Sequence, residues 1–371
     1  MMKSEQSYDS LLKVYFPFYS FSGSHREIGR QYGESCRKLI HRHLSLVEDR
    51  MKARAGAGKK QIEEVVMQFR SYVQRYADYF DEEIVGLSEG ADLTLSEAYA
   101  LQLRAELNRQ LSAGNECTTY AVREDKTGNH IGLIGQDADL PAFYSEIGIV
   151  TEICPDDAPA VLQFTPAGQI SYIGINNQGM ACFGNFLSCD GWKVGFPRYL
   201  LSRLALTHTN VEEALRHLST ISRASSRNLI MMDAKGEMAD METTADRHAI
   251  LRDQDGLLCH SNHYLSPELL SEERHSVKGL ANSKARYARM SQLLKEHIGC
   301  IDADKMEEIL RDRTGEYPIC RMLGDEDSDT ITAASVIAMP TKGVLRVAVG
   351  PPNLYEYKEY RFSDKSRCKG E

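Results

Sequence analysis

The chain reads as an α+β protein: a helical N-terminal third, then two groups of short strands with helices between and around them. Three observations carry this reading. Apolar residues recur at helical spacing in the first hundred or so residues, with Ile28, Tyr32, Cys36, Ile40, Leu44 and Val47 falling on one face. From Cys117 onward the texture changes to short runs rich in β-branched and apolar residues, separated by turn residues. The strands come in clusters and do not alternate singly with helices, which argues against a βαβ repeat.

In order, Ser24-His25-Arg26-Glu27 has the S-x-x-E form of a capping box and opens the first helix. Two glycines within 55–58 predict a loop. Ile62, Val65, Val66, Phe69, Tyr72, Val73 and Tyr76 then line one face of a second helix. Thr94-Leu95-Ser96-Glu97 repeats the capping box and opens a third helix expected to run to about Leu111. Strands are predicted over 118–122, 130–135, 147–153, 161–165, 169–175 and 180–186. Two helices follow, over 198–206 and 211–218, the second headed by Asn210 as a cap. Strands resume at 228–233 and 238–242 across the turn Ala234-Lys235-Gly236-Glu237 and continue to His260. Helices over 283–297 and 303–312 precede two closing strands near 332–338 and 344–349.

The 371 residues with a 42% apolar fraction suffice for a buried core. The 44 basic and 53 acidic residues give a formal charge of −9, and there is no basic stripe, so a nucleic-acid role is disfavoured. No stretch of about 18 apolar residues is present, which disfavours a membrane span. The cluster over 14–21 is too short and too aromatic for a secretion signal. Nine cysteines, odd in number and without a CxxC pair, fit reduced thiols and a cytoplasmic location.

Cys117 stands at the change of texture, in the run Asn115-Glu116-Cys117-Thr118-Thr119-Tyr120. It is followed by Gly135-Gln136-Asp137-Ala138-Asp139, Asn176-Asn177-Gln178-Gly179, His260-Ser261-Asn262-His263 and Pro318-Ile319-Cys320-Arg321. Upstream lie Glu27-Ile28-Gly29 with Gly33, Glu82-Glu83-Ile84 with Gly86 and Gly90, then Arg104 and Glu106. Downstream lie Ala167-Gly168, Gly174, Asn185, Gly195-Phe196-Pro197 with Arg203, and Glu242. In this order the motifs resemble the acyl-coenzyme A:6-aminopenicillanic acid acyltransferase family, a branch of the N-terminal-nucleophile hydrolases, over nearly the whole chain.

The resemblance implies a four-layer αββα sandwich, with residues 1–116 as a helical pro-segment and 117–371 as the catalytic core. It implies that the Cys117 thiol attacks the carbonyl of Glu116 and frees its own α-amino group, whose ordinary pKa of about 7.7–8.0 suits a general base at neutral pH. It assigns Asn262 as the side-chain oxyanion donor, Asp139 as the partner of the new amine, and Arg321 as a guanidinium for the thiolate side or a substrate carboxylate. Asp137 competes for the role of Asp139. Asn176 and Asn185 are read as residues that satisfy backbone groups in strands and turns.

The expected partners are a small-molecule amide or acyl thioester and the chain's own cleaved N-terminal fragment. No cofactor is called for, and acyl-coenzyme A would enter as a substrate. Hydrolysis and transfer to an amine both stay open. The family usually has glycine before the nucleophile and this chain has Glu116, so whether the bond breaks stays open too. Two other readings remain: an uncleaved, catalytically silent binding protein, and an ordinary cysteine hydrolase with His260 or His263 as base.

Other ligand patterns are weaker. Cys259, His260 and His263 lack the second spaced pair that a zinc site needs. Asp325, Asp327 and Asp329 alternate like a calcium loop, but Thr330 and Val336 stand where glycine and glutamate are required.

Overall fold

The computed structural model describes residues 11–55, 59–107, 116–253, 255–325 and 328–363. The expected loop after Ala55, the end of the third helix at Leu111, Asn115 and Asp327 lie outside these residues.

The N-terminal part opens with a strand, β1 (Phe18–Gly23), and continues through four helices: α1 (His25–Ala55), α2 (Lys59–Ala91), α3 (Leu95–Gln102) and α4 (Arg104–Leu107). β2 (Glu116–Val122) and β3 (Leu133–Pro141) follow, then a short turn of helix α5 (Tyr144–Ile147) and β4 (Gly148–Pro155). Next come β5 (Val161–Pro166), β6 (Ile173–Asn176), β7 (Ala181–Phe183), α6 (Leu200–Ala205) and α7 (Val211–Ser219). The remainder is β8 (Arg227–Met232), β9 (Met238–Thr243), β10 (His248–Leu251), β11 (Leu257–His260), α8 (Val277–Glu296), α9 (Ala303–Leu310), β12 (Thr330–Met339), β13 (Val344–Val349) and β14 (Tyr357–Arg361).

These strands make two sheets. One has eight strands in the order β1-β4-β5-β6-β7-β8-β9-β10, the other six in the order β11-β2-β3-β12-β13-β14. The mixed α+β class expected from the sequence is the class observed. Strand alternation sends side chains to both faces of each sheet, and among the described residues three large apolar cores result, with a small fourth around Leu187, Tyr264 and Leu269. One joins Ile149, Ile153, Leu229 and Met231 of the eight-stranded sheet to α1, α2, α6 and α7. A second joins Leu162, Phe164, Phe183 and Ile230 of that sheet to Ile134, Ala138, Val336 and Val347 of the other. The third joins Tyr120, Val122, Leu133 and Ile337 to Met290 and Leu294 of α8 and to Met306 and Ile309 of α9.

Both capping boxes are present. Ser24 and Thr94 receive the backbone N–H of Glu27 and Glu97, and those glutamates reach back to the cap N–H groups. All six apolar positions from Ile28 to Val47 are buried, whereas Val65, expected on the inner face of α2, is exposed.

Several expectations need correction. The segment before Ser24 supplies β1, which pairs in parallel with β4 from Phe18↔Val150 to Gly23↔Pro155. The third helix is broken at Leu103, whose N–H turns back to Ala100 O, three residues earlier. The strand expected over 130–135 starts later and runs through the whole Gln136–Asp139 run, because β2 and β12 pair with it on either side. α8 begins at Val277, six residues earlier than expected, capped by Ser276. A third closing strand, β14, pairs with β13.

Candidate active site

β2 runs between β3 and β11 in the six-stranded sheet, and Cys117 is its second residue. Opposite residues of an antiparallel pair share a face. The registers Cys117↔Ala138 and Thr119↔Gln136 therefore turn Cys117 and Gln136 toward the core between the sheets. Glu116↔Asp139 and Thr118↔Asp137 turn the two aspartates to the other face. Glu116 lies in extended strand pairing, a conformation any residue adopts, so the missing glycine does not disturb the backbone here.

β11 pairs with β2 only as far as His260↔Thr119. Where the ladder stops, the Asn262 side chain takes over the next acceptor position, and its Oδ1 receives the backbone N–H of Cys117 at 2.8 Å. Asn262 is fully buried. Its own N–H donates to Ser283 Oγ at 2.7 Å, and Nδ2 donates to Phe186 O at 3.0 Å. Asn262 thus lies at the nucleophile's nitrogen, with one amide N–H already turned to a backbone carbonyl.

Asp139 is drawn in on two sides. Its backbone N–H favours the Cys117 thiolate, while its carboxylate Oδ1 accepts from Thr332 Oγ1 at 2.8 Å. Thr332 Oγ1 in turn accepts the Arg321 N–H at 2.9 Å, and Arg321 O accepts the Thr332 N–H at 3.0 Å. The backbone of Arg321, a residue 2% exposed, is thereby joined to Asp139 through one hydroxyl. Asp137 is bound elsewhere: it accepts from Ser335 Oγ, which also pairs with Tyr357 OH at 2.6 Å. Burial and the neighbouring Asp139 charge hold the Asp137 carboxyl well above the usual range.

Sequence reading missed two residues. Gln136 lay in a quoted motif but was given no role. Its side-chain oxygen accepts the Gly184 N–H at 3.1 Å, while its buried Nε2, on the Cys117 side of the sheet, has no hydrogen-bond partner. Arg286 was not singled out at all. From α8 it donates to Cys117 O at 2.7 Å, Thr118 Oγ1 at 2.8 Å and Asn262 Oδ1 at 2.9 Å, with Nε held by Asn282 Oδ1 at 2.7 Å. A signal existed: Met290, Leu293 and Leu294 mark the buried face of α8, and Asn282 and Arg286 continue that stripe at four-residue steps. A polar pair on an apolar stripe points to a bonded partner inside.

Asn185 also reaches the site. Its Nδ2 donates to Ser261 O at 2.6 Å and Thr119 Oγ1 at 3.2 Å. Asn176 stays in its turn, accepting from Gln178 and Met180 N–H groups.

Burial, reinforced by the Asp139 charge, pushes the Cys117 thiol up to about 11, against the pull of Asp139 N–H, Gln136 and Arg286. Neither histidine is bonded to Cys117. His260 Nε2 pairs with Glu242 Oε1 at 2.8 Å; burial opposes its charge, but Asp240 and Glu242 outweigh burial and raise it to about 9. His263 faces Ser283 Oγ at 2.8 Å, and burial with the His260 charge lowers it to about 3. No group of three or more metal-ligating side chains occurs among the described residues, and no helix among them is long and apolar enough to cross a membrane.

The chain resembles known proteins in both sequence and structure. It is 27% identical over 337 residues to the 40 kDa form of acyl-coenzyme A:6-aminopenicillanic-acid-acyltransferase of Emericella nidulans, spanning 89% of this chain and 92% of that one. A mutant conjugated bile acid hydrolase from Clostridium perfringens aligns on 67% of this chain and 97% of its own, at 15% identity and a TM-score of 0.46. Penicillin V acylase from Agrobacterium tumefaciens aligns on 63% and 83%, at 13% identity and a TM-score of 0.45. Residues 127–354 match the model of the acyl-coenzyme A:6-aminopenicillanic acid acyl-transferase family, so the chain belongs to that family and is an enzyme of the acyltransferase and amide-hydrolase class.

Proposed function

We propose that the protein is a self-processing enzyme whose nucleophile is Cys117. The observation that carries this is the convergence on one residue: Asn262 Oδ1 on its nitrogen, and Arg286 on both its carbonyl and that same Asn262 oxygen. In the intact chain Sγ attacks the Glu116 carbonyl carbon, the C–N bond breaks, and the acyl group passes to sulfur while the nitrogen takes the thiol proton. Water then hydrolyses the thioester, leaving a carboxylate on Glu116 and a free amine on Cys117.

That amine takes the thiol proton in each later turnover. The thiolate attacks an amide or thioester carbonyl, the leaving amine or thiol departs with the proton, and the acyl-enzyme is resolved by water or an amine acceptor. Asp139, opposite Glu116 in the register, stands where the new amine forms and balances its charge. Asn262 steadies that amine through Oδ1 and supplies Nδ2 to the oxyanion; Arg321, whose backbone N–H meets the Thr332 hydroxyl beside Asp139, offers its guanidinium to the thiolate side or to a substrate carboxylate. In the transfer branch acyl-coenzyme A enters as a substrate and not as a cofactor. The succession of the three cores supports the four-layer αββα reading, and the buried contacts of 11–107 with the rest support two fragments that stay together.

Mass spectrometry of the purified protein tests the proposal. Two fragments, the second beginning at Cys117, are expected from the wild type and an intact chain from Cys117→Ala. An intact wild-type chain whose Cys117 resists thiol reagents would sink it. A panel of N-acyl amides and acyl thioesters, with and without amine acceptors, then separates the outcomes: free acid in both conditions means hydrolysis, acceptor-dependent amide means transfer.

A further inference from the structure

Arg198 follows Pro197 just before α6, and it is 2% exposed. Its Nε and Nη1 have no hydrogen-bond partner. A buried guanidinium without a partner is costly by several kcal/mol, so such donors are normally met by an acceptor. The group is nonetheless held in place, 4.6 Å above the Phe186 ring, 5.8 Å from that of Trp192 and 5.4 Å from that of Tyr199. Ring faces attract the charge but accept none of the in-plane N–H groups.

Behind it sits a second buried cation. Arg227 donates only to neutral carbonyls, Arg198 O and Tyr172 O, both at 3.3 Å, and lies 5.2 Å from the Tyr199 ring. Burial and the Arg198 charge lower its proton affinity. The carboxylate touching this segment, Glu106, does not bond either guanidinium: Oε1 accepts the Arg198 backbone N–H at 2.9 Å and Ser225 Oγ at 3.1 Å, and Oε2 is buried without a partner. With Arg104 also lying over the Tyr172 and Tyr199 rings, three buried guanidiniums gather beside one carboxylate, and the Nε–Nη1 edge of Arg198 is left open.

That edge is linked to the nucleophile through two residues. Phe186, whose ring carries Arg198, accepts Asn262 Nδ2 through its carbonyl, and Asn262 Oδ1 holds the Cys117 N–H. Tyr172, over which Arg227 lies, is close enough to Cys117 for the thiolate charge to disfavour its own ionisation. A planar fork of guanidinium donors matches the two oxygens of a carboxylate.

We propose that Arg198, backed by Arg227 and Tyr199, is a carboxylate-binding subsite of the acyl-transfer centre, so that the amides Cys117 attacks carry a carboxylate beyond the scissile bond. This rests on Cys117 being the nucleophile. The test uses the cleaved protein and two alkylating amides that differ only in that charge, N-iodoacetylglycine and N-iodoacetylglycinamide. In each, Cys117 Sγ forms the C–S bond and iodide leaves.

The acid is expected to label Cys117 about tenfold faster than the amide, the ratio that one charge-assisted contact supports. Arg198→Met should bring the ratio to about one and Arg198→Lys should leave it between. Equal rates in the wild type, or an undiminished ratio in Arg198→Met, would overturn the subsite while leaving the nucleophile intact. A stronger preference for the aminomethylphosphonate analogue over the glycine probe would overturn the carboxylate assignment in favour of a phosphate. Failure of both probes to label Cys117 would instead overturn the nucleophile, and this inference with it. The wild-type comparison decides even if a variant does not fold.

Discussion

Arg286 donates to Asn262 Oδ1 at 2.9 Å, on the same oxygen that receives the Cys117 N–H at 2.8 Å. Two donors converging there fix which end of the Asn262 amide is oxygen, and so aim Nδ2 the other way. One guanidinium also reaches Cys117 O and Thr118 Oγ1, a spread of donors that a lysine ammonium cannot reproduce.

Arg286→Lys should therefore slow both chain cleavage and turnover by about 10- to 100-fold, the size of effect seen when the group orienting a functional ligand is lost. The loss should fall on kcat and leave KM nearly alone, because Arg286 acts through Asn262. Time-resolved mass spectrometry and steady-state kinetics check this. A rise in KM at constant kcat would place Arg286 at the substrate instead.

His260 ties β11 to β9 through Glu242, whose carboxylate also accepts the Leu265 and Ser266 N–H groups at 2.6 and 3.0 Å. The folded protein raises His260 to about 9 from an ordinary value near 6.5. A raised histidine contributes its stability in full below about 6.5 and loses it as pH climbs through about 9, for a change of about 3 kcal/mol. The neighbouring Asp240, raised to about 7 by burial, lowers stability as pH rises from its ordinary range to about 7, so most of its effect is complete before the His260 loss, and Cys259, pushed up to about 12, acts above it. Chemical denaturation between pH 6.5 and 9 should show falling stability in the wild type and a flatter profile in Glu242→Gln. A flat wild-type profile would mean that His260 is neutral in the folded protein.

The sequence made the helices and most strands legible because their signals are local: capping boxes, one-sided apolar spacing, turn residues. It hid β1, whose pairing partner β4 lies more than a hundred residues away, and it hid the reach of β3 through Gln136–Asp139, whose buried polar side chains look like a loop until strands flank them on both sides. For the site, Cys117, Asp139, Asn262 and Arg321 were readable from family order; the structure sets Asn262 on the Cys117 N–H and joins Asp139, through the Thr332 hydroxyl, to the backbone N–H of Arg321. Arg286 was not readable that way, since its partners are a backbone carbonyl and an amide oxygen supplied by distant segments. The glycines quoted as motif gain a physical reason at the helix crossing.

There α1 and α2 touch backbone to backbone. A Cβ on Gly29 would stand 2.0 Å from Glu83 O, and one on Gly86 would stand 2.0 Å from Arg26 O. Neither carbonyl can move without parting the helices, whose ridges and grooves otherwise keep their axes about 8–10 Å apart. Gly29→Ala should cost about 3 kcal/mol or more, at the upper end of overpacking effects, even though alanine favours helix. Thermal unfolding measures it, and an unchanged or raised Tm would show that the crossing is looser than drawn.

Glu83 of α2 and Arg203 of α6 form a fully buried pair, with Arg203 Nη2 donating to Glu83 Oε2 at 2.8 Å and Nη1 reaching Oε1 and Ile170 O. His25 Nδ1 faces the same carboxylate at 3.3 Å. Despite burial, the Arg203 and His25 groups hold the Glu83 carboxyl below its ordinary value, so it is ionised at neutral pH. This pair joins a helix upstream of Cys117 to one downstream, beside the Gln102 contacts to Gly168 O at 2.7 Å and the Ile170 N–H at 3.0 Å. If the chain is cut before Cys117, such contacts are what keep the two pieces together. Glu83→Gln leaves the Arg203 charge buried against a neutral amide, and breaking a buried pair in this way costs about 3–5 kcal/mol. The wild-type fragments should co-elute on size exclusion and separate only in denaturant, whereas Glu83→Gln fragments should part at clearly lower denaturant. Identical dissociation midpoints would show that the apolar core around α1 and α2 holds the pieces without help from this pair.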